Sequence, residues 1–349
     1  MSDPVAPPQA PRRWLALLLA LFLSGGVGHV YVGLPRRGLI WLALQLSSVV
    51  AFALLTIASD GHLAFYAGLI LIAALGWIAQ LVDLLLVPRR RFGKSSLLHV
   101  LLLASLSVAL SRGCAHTLRL FVLEAFKTPS GSMAPTLLPG DHVIVGKLSQ
   151  ALSGDLPDRG APIVFAYPND PALDYVKRVV GLPGDRIEAK DGHPIINGWE
   201  VPHCLVGALA LSTDDGPPRE GQLFVEFLSG YAYLTWYEVA AGDHREGPFT
   251  VAANEVFVFG DNRHNSFDSR AWNDGKGGGV PSSLIKGRVL STTFAFDESG
   301  TLDLVRMGLP LTGHPRLPRA IPQIRAGMES CLANPPPSTW PPPAPTSVE

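Results

Sequence analysis

Four apolar stretches fill the first third of the chain, at about residues 14–34, 38–58, 64–87 and 97–118. Each approaches the ~20 residues that a helix needs to cross a ~30 Å hydrocarbon core. Beyond residue 119 the pattern changes to short runs rich in Val, Ile, Phe and Tyr, punctuated by Gly, Pro and Asp. The runs are His142–Lys147, Pro162–Tyr167, Asp174–Val180, Asp185–Ala189, Gln222–Phe227, Tyr231–Tyr237, Glu255–Phe259 and Gly287–Phe296. With no helical periodicity between them, they predict antiparallel sheet. The expected fold is a multi-span α-helical membrane anchor followed by an all-β extracytoplasmic domain. Residues 1–95 carry about three apolar stretches, 96–118 the last span, and 119–310 the β domain with an inserted lobe at about 190–250. Residues 311–349 form a Pro-rich tail, marked by Pro335-Pro336-Pro337 and Pro341-Pro342-Pro343, that is read as exposed.

Orientation follows from Lys and Arg in the short loops. Pro88-Arg89-Arg90-Arg91-Phe92-Gly93-Lys94 holds four positive charges and predicts a cytoplasmic loop. The fourth stretch then leads out, everything after residue 119 lies outside, Arg36 and Arg37 lie inside, and the Ser59–His62 loop faces out. The first stretch is either a full span or a re-entrant hairpin at Gly25, Gly26 and Gly28. A cleaved leader fits it poorly, because no small-x-small site ends it. Asp83 and Arg112 fall inside apolar stretches, where a charge costs at least ~2.5 kcal/mol at a helix centre. Snorkelling toward the nearer interface is preferred for both over a polar pathway or an interhelical pair. Gly28-His29-Val30-Tyr31-Val32-Gly33 is read as a packing turn between helices.

Charged residues make up only 16% of the chain, against about 25% in soluble domains. Residues 1–118 hold nine Lys/Arg and three Asp/Glu, and the remainder 19 and 26. The overall net charge of −1 is therefore a cancellation between a basic anchor and an acidic outer part. This pattern excludes a uniformly soluble protein and a disordered one. It also lacks the clustered basic face needed for nucleic acid. No metal-ligand cluster or phosphate-cradling glycine loop occurs, so no metal and no cofactor are expected. Cys204 and Cys331 both fall in the compartment where a bridge is permitted, although sequence alone does not establish one. Cys114 ends the fourth stretch.

Candidate chemistry begins a few residues beyond the last span, at Phe126-Lys127-Thr128-Pro129-Ser130-Gly131-Ser132-Met133-Ala134-Pro135-Thr136-Leu137. Pro-Ser-Gly-Ser is ordinary turn chemistry, but such a turn can also expose a hydroxyl beside free backbone N–H groups. No outer histidine (142, 193, 203, 244, 264, 314) has a carboxylate placed to orient it, which leaves a Ser-His-Asp triad unsupported. A desolvated lysine is the other kind of base. Lys177 shares a strand face with Tyr175 and Val179, and Arg178 shares the other with Val176 and Val180, so alternation does not settle which charge is buried. Gly260-Asp261-Asn262-Arg263-His264-Asn265-Ser266-Phe267-Asp268-Ser269-Arg270 is too polar for core and reads as a bonded loop or as support for a lysine. Ser283-Leu284-Ile285-Lys286 has S-x-x-K spacing but no companion motifs.

Three segments, in order, resemble bacterial type I signal peptidases, the leader peptidases. These are Ser130–Leu137, Asp174–Asp185 and Gly260–Arg270, and with the approach Arg119–Phe126 the resemblance covers about residues 119–190 and 255–296. It implies an all-β catalytic domain and a membrane-bound serine endopeptidase that removes signal peptides at small-x-small sites through an acyl-enzyme. It implies Ser132 as nucleophile, Lys177 as general base, and an oxyanion hole of the Ser132 N–H and the Ser130 hydroxyl. Ser266 would hold the Lys177 amine, Asp268 and Arg270 would support that loop, and Gly260 and Asp261 take structural positions. Phe126, Thr128, Pro129, Met133, Leu137, Val143, Val164, Tyr175 and Val176 would line the pockets for the residues one and three before the cleaved bond. The implied partners are signal peptides of exported preproteins, the lipid bilayer of the bacterial inner membrane and the translocation machinery. A narrow-specificity Ser-Lys processing peptidase and a silent membrane-anchored binding module are the alternatives. The chain departs from the family at Gly160-Ala161-Pro162, at Thr128, in the longer loop Asn273–Gly279, and in residues 1–95, which the resemblance does not cover.

Overall fold

The computed structural model describes residues 11–23, 25–58, 63–93, 96–147, 154–211, 217–239, 244–295, 301–304, 306–308, 311, 315 and 322–337. The chain divides into two compact units, one of helices up to Val122 and one beginning at Leu123. The Ser59–His62 loop, Lys94, Phe296, His314 and Pro341-Pro342-Pro343 lie outside the described residues.

The helical unit contains α1 (Arg13–Phe22), α2 (Val27–Tyr31), α3 (Pro35–Ala58), α4 (Leu63–Leu86) and α5 (Leu97–Phe121). Among the described residues, two helical segments are long and apolar enough to cross a membrane, Pro35–Leu55 and Leu97–Phe121. Ser96 caps α5 by accepting from Leu98 N at 3.2 Å. The first apolar stretch is not one helix. Gly25 and Gly26 have φ of +56° and +78°, a region that favours glycine, and they separate α1 from the five-residue α2. Gly28 then packs so closely on α1 that a Cβ there would collide with the Ala16 carbonyl.

Asp83 does not snorkel, contrary to the preferred sequence reading. Its Oδ1 accepts from Arg37 Nη1 at 2.8 Å and its Oδ2 from Trp41 Nε1 at 3.0 Å, while the fully buried His29 Nε2 lies 3.0 Å away. Residues of α2 and α3 supply these partners, so the charge is satisfied within the unit rather than by reaching an interface. Arg112 stays exposed on α5.

The second unit is built of antiparallel sheets. A seven-stranded sheet has the order β1-β2-β14-β3-β4-β12-β13. Its strands are β1 (Leu123–Lys127), β2 (His142–Gly146), β3 (Pro162–Tyr167), β4 (Asp170–Gly181), β12 (Glu255–Phe259), β13 (Val280–Pro281) and β14 (Ile285–Phe294). A four-stranded sheet, β11-β5-β6-β7, joins β5 (Arg186–Lys190), β6 (His193–Ile196), β7 (Trp199–Glu200) and β11 (Arg245–Thr250). A three-stranded sheet, β10-β9-β8, joins β8 (His203–Leu211), β9 (Arg219–Leu228) and β10 (Tyr231–Glu238). β3 explains its own uninterrupted apolar run: Ile163 and Phe165 enter one core cluster and Val164 enters another, so both faces are covered.

The segment read as an exposed tail contains a helix, α6 (Pro322–Ala333). Ile324, Met328 and Cys331 recur at helical spacing and pack with Val206, Leu223, Val225 and Trp236 against the three-stranded sheet. Cys204 of β8 and Cys331 of α6 form a disulfide with Cα atoms 5.9 Å apart, within the usual range.

Candidate active site

β1 pairs with β2 in the register Phe126↔Val143, and the chain then turns where Thr128 N donates to the Asp141 carbonyl at 2.8 Å. A single 3-10 turn follows at Gly131–Met133. Asn262 fixes this turn twice, its backbone N donating to Ser132 O at 3.1 Å and its Nδ2 to Gly131 O at 3.1 Å. Ser132 is thus held half-buried at the floor of a cavity of about 580 Å³, with the exposed Ser130 beside it and the two hydroxyl oxygens 3.2 Å apart.

Lys177 reaches the same point from β4. Its backbone pairs with Ile163 of β3, whereas pairing with β12 on the other edge begins only at Arg178. Lys177 Nζ lies 2.6 Å from Ser132 Oγ and 3.1 Å from the Val176 carbonyl, and the residue is only 4% exposed. Burial lowers its pKa to about 8, against the upward pull of the Asp268 and Asp261 carboxylates and with a smaller push downward from Arg270. Arg178 is buried as well, at 1%. Its Nε and Nη2 donate to the two Asp261 carboxylate oxygens at 2.7 and 2.6 Å, and its Nη1 to Gly160 O at 2.6 Å. Strand alternation could not separate Lys177 from Arg178 because both faces of β4 are interior from Lys177 onward.

The polar loop after β12 surrounds this pair. Asp268 accepts from Gly260 N at 2.8 Å and from Arg270 Nε and Nη2 at 2.9 Å each. Burial alone would raise the Asp268 pKa, but Arg270 and the Gly260 N–H bond hold it below the usual carboxylate range. Thr136 Oγ1 donates to Asp261 at 2.5 Å. Arg263 Nη1 and Nη2 reach Glu226 at 2.5 Å each, and Arg263 Nε donates to Gly260 O at 3.1 Å. Ser266 Oγ is buried close to Asp268 and Gly260 without a well-formed hydrogen bond. The Ser266–Lys177 contact implied by the resemblance is therefore not among the bonds formed, because the amine is turned to Ser132 and Val176. A Cβ at Gly260 would collide with Ser266 Oγ and the Ser132 carbonyl, so this close approach requires glycine.

The sequence profile of the signal peptidase family, peptidase S26, matches residues 98–294, more than half of the chain. This chain belongs to that family. Signal peptidase I of Pseudomonas aeruginosa is 38% identical over 183 residues, which are 48% of this chain and 61% of the relative. Signal peptidase I of Pseudomonas fluorescens is 36% identical over 199 residues, 52% of this chain and 68% of the relative. The chain thus spans about three fifths of the length of the first relative and two thirds of the second. A crystal structure of a signal peptidase I from Enterococcus faecalis V583 aligns at 24% identity over 38% of this chain and 97% of its own, with a TM-score of 0.23, too low to support an argument.

The signal peptidase pocket residues expected from the sequence fall into two groups. Thr128, Pro129, Met133, Tyr175 and Val176 line the cavity above Ser132. Leu137, Val143 and Val164 are fully buried with Met133 in a core cluster, where they do not line the cavity, and the half-buried Phe126 packs on that cluster. The opposite wall is formed by His264, Asn265, Ser266 and Phe267, with Leu173 at the mouth. His264 Nδ1 accepts from Glu238 N at 3.0 Å. The residues that sequence reasoning missed are Asn262, Arg178 and the Arg263–Glu226 pair. Asn262 and Arg263 lie within the polar segment Gly260–Arg270, but nothing in one dimension shows that Asn262 bonds to the serine turn. Glu226 belongs to β9, far along the chain, and carried no signal.

Proposed function

We propose that the chain is a membrane-bound serine endopeptidase that removes signal peptides from exported preproteins at small-x-small sites. The observation that carries the reading is a buried Lys177 amine 2.6 Å from Ser132 Oγ, with a pKa lowered to about 8. Neutral Lys177 takes the Ser132 proton as Oγ attacks the scissile carbonyl. The Ser132 N–H and Ser130 hydroxyl receive the oxyanion. The new ammonium, held near the Val176 carbonyl, protonates the leaving amine, and water deacylates the enzyme in the reverse arrangement. Asp174–Val176 of β4, unpaired on the cavity edge, supports an extended substrate laid alongside it. Thr128, Pro129, Met133, Tyr175 and Val176 select small residues before the cleaved bond, and the Asp268–Arg270 pair supports the loop beside the lysine. In this reading the anchor is multi-pass, its basic loop is cytoplasmic, and the catalytic domain lies on the extracytoplasmic side of the inner membrane.

The active form has a neutral lysine, so activity rises with pH. The profile of kcat/KM against pH for a small-x-small peptide is expected to be half-maximal near the Lys177 value of about 8. A limb that instead follows a histidine, near pH 6.5, contradicts the base assignment. Ser130→Ala is expected to lower kcat by roughly 10²–10³, with KM nearly unchanged, as loss of one oxyanion donor does. An effect confined to KM removes Ser130 from that role.

A further inference from the structure

We propose that Trp236 is a positioning residue for the Ser132 turn, an inference that rests on the peptidase reading and extends it to the disulfide-bound helix α6. β10 alternates between two cores. Leu234 and Trp236 enter the one that α6 covers, whereas Tyr233 enters another with Ile187 and Ile196 of the four-stranded sheet. At Trp236 the main chain of β10 also meets the polar loop, in a single parallel bridge to Asn262. Trp236 N donates to Asp261 O at 2.9 Å, and Arg263 N donates to Trp236 O at 3.0 Å. These two bonds flank Asn262, which itself holds the serine turn through Ser132 O and Gly131 O. The backbone of Trp236 thus sets where Asn262 stands, and through it Ser132, although Trp236 does not line the cavity above the serine.

The side chain fixes that backbone from the other direction. Trp236 is 1% exposed, its indole Nε1 donates to Leu209 O of β8 at 2.8 Å, and a Cβ at Gly221 of β9 would collide with the ring. A three-stranded sheet needs a second layer to bury such a face. α6 supplies it with Ile324, Met328 and Cys331. Two features hold the helix down on β8: the Cys204–Cys331 disulfide, and Gly327, where a Cβ would collide with the Val206 carbonyl. The buried Arg263–Glu226 pair ties the same sheet to the residue after Asn262, so side chain and main chain together hold the loop against β9 and β10. A displacement of about 1 Å at a reacting group can cost on the order of 10²-fold in rate. Loss of an ordinary core tryptophan lowers stability alone, whereas the bridge to Asn262 makes loss of Trp236 lower kcat as well.

The test compares full-chain variants in detergent at a temperature where each is folded. Trp236→Ala is expected to lower kcat for an Ala-x-Ala peptide by roughly 10–10²-fold, with KM within about twofold. Trp236→Phe keeps a ring in the core and should recover most of that loss. Ile196→Ala, in the other core, should lower Tm and leave kcat within about threefold. In an Asn262→Ala background, Trp236→Ala should cost less than it does alone. Gly327→Val, which pushes α6 off β8, should lower kcat in the same way, and it carries the comparison if Trp236→Ala does not fold. Hydrogen–deuterium exchange needs no turnover: residues 130–137 and 258–265 should exchange faster in Trp236→Ala or Gly327→Val than in wild type, and residues 186–196 should not. An equal kcat loss in Ile196→Ala, full additivity with Asn262→Ala, or unchanged exchange in the serine turn overturns the proposal. A wild-type chain that fails to cleave the peptide overturns the peptidase reading instead, and the exchange result still decides whether Trp236 positions the turn.

Discussion

Ser132→Ala is expected to lower kcat for precursor cleavage by on the order of 10⁴–10⁶, because no acyl-enzyme can form. Lys177→Met keeps the length of the buried side chain and removes only the amine, so its expected loss is on the order of 10²–10⁴, the usual contribution of a positioned base. Two groups that act as one unit do not add, and the double variant should be no slower than Ser132→Ala alone. The lysine variant also has a signed effect on stability. The folded-state pKa of about 8 lies below the ordinary 10.5, so the unfolded chain binds more protons between those values. Stability contributed by Lys177 therefore increases as pH rises through that window, and at lower pH its burial is an uncompensated cost. Lys177→Met should raise Tm most below pH 8 while lowering activity by that factor. Lost activity accompanied by a lowered Tm at pH 7 would place Lys177 among structural residues.

Arg178→Met is the second large effect, and it acts on folding. Asp261 is fully buried and receives two hydrogen bonds from Arg178, so the variant strands a carboxylate in the interior. Removing one member of a buried pair costs about 3–5 kcal/mol, which lowers Tm by on the order of 10 °C for a unit of this size. The informative comparison is Arg178→Met/Asp261→Asn, which removes both charges and should recover much of the loss. If the double variant is as unstable as the single one, the stranded charge is not the cause. Because Asp261 also accepts from Thr136, just beyond the serine turn, residual activity should fall together with stability in Arg178→Met.

The serine turn and the lysine strand were visible in the sequence only as candidates with ordinary structural alternatives, and the resemblance to signal peptidases, not local chemistry, implied their roles as a pair. The depth of Lys177 could not be read there, since β4 is covered on both faces from Lys177 onward and periodicity then loses its meaning. The same cause moved Leu137, Val143 and Val164 from the expected pocket lining into the core behind Met133. The polar loop could be read from sequence either as a bonded loop or as support for a lysine, and the bonds it makes join residues far apart in the chain, such as Asn262 with Gly131 and Arg263 with Glu226. In the helical unit the glycines at 25, 26 and 28 were visible, yet only packing shows that they divide the first apolar stretch. The periodicity of Ile324, Met328 and Cys331 was overlooked because neighbouring proline runs dominated the composition.

The central claim, that Ser132 is acylated with Lys177 as its base, is tested most directly by locating the acyl group. The full chain is reacted with a peptide ester ending in Ala-x-Ala, quenched in acid and mapped by fragmentation mass spectrometry. The account predicts the acyl group on Ser132, forming faster as pH rises through about 8 and lost in Lys177→Met. An acyl group on any other residue, or labelling of Ser132 that is indifferent to Lys177, contradicts it.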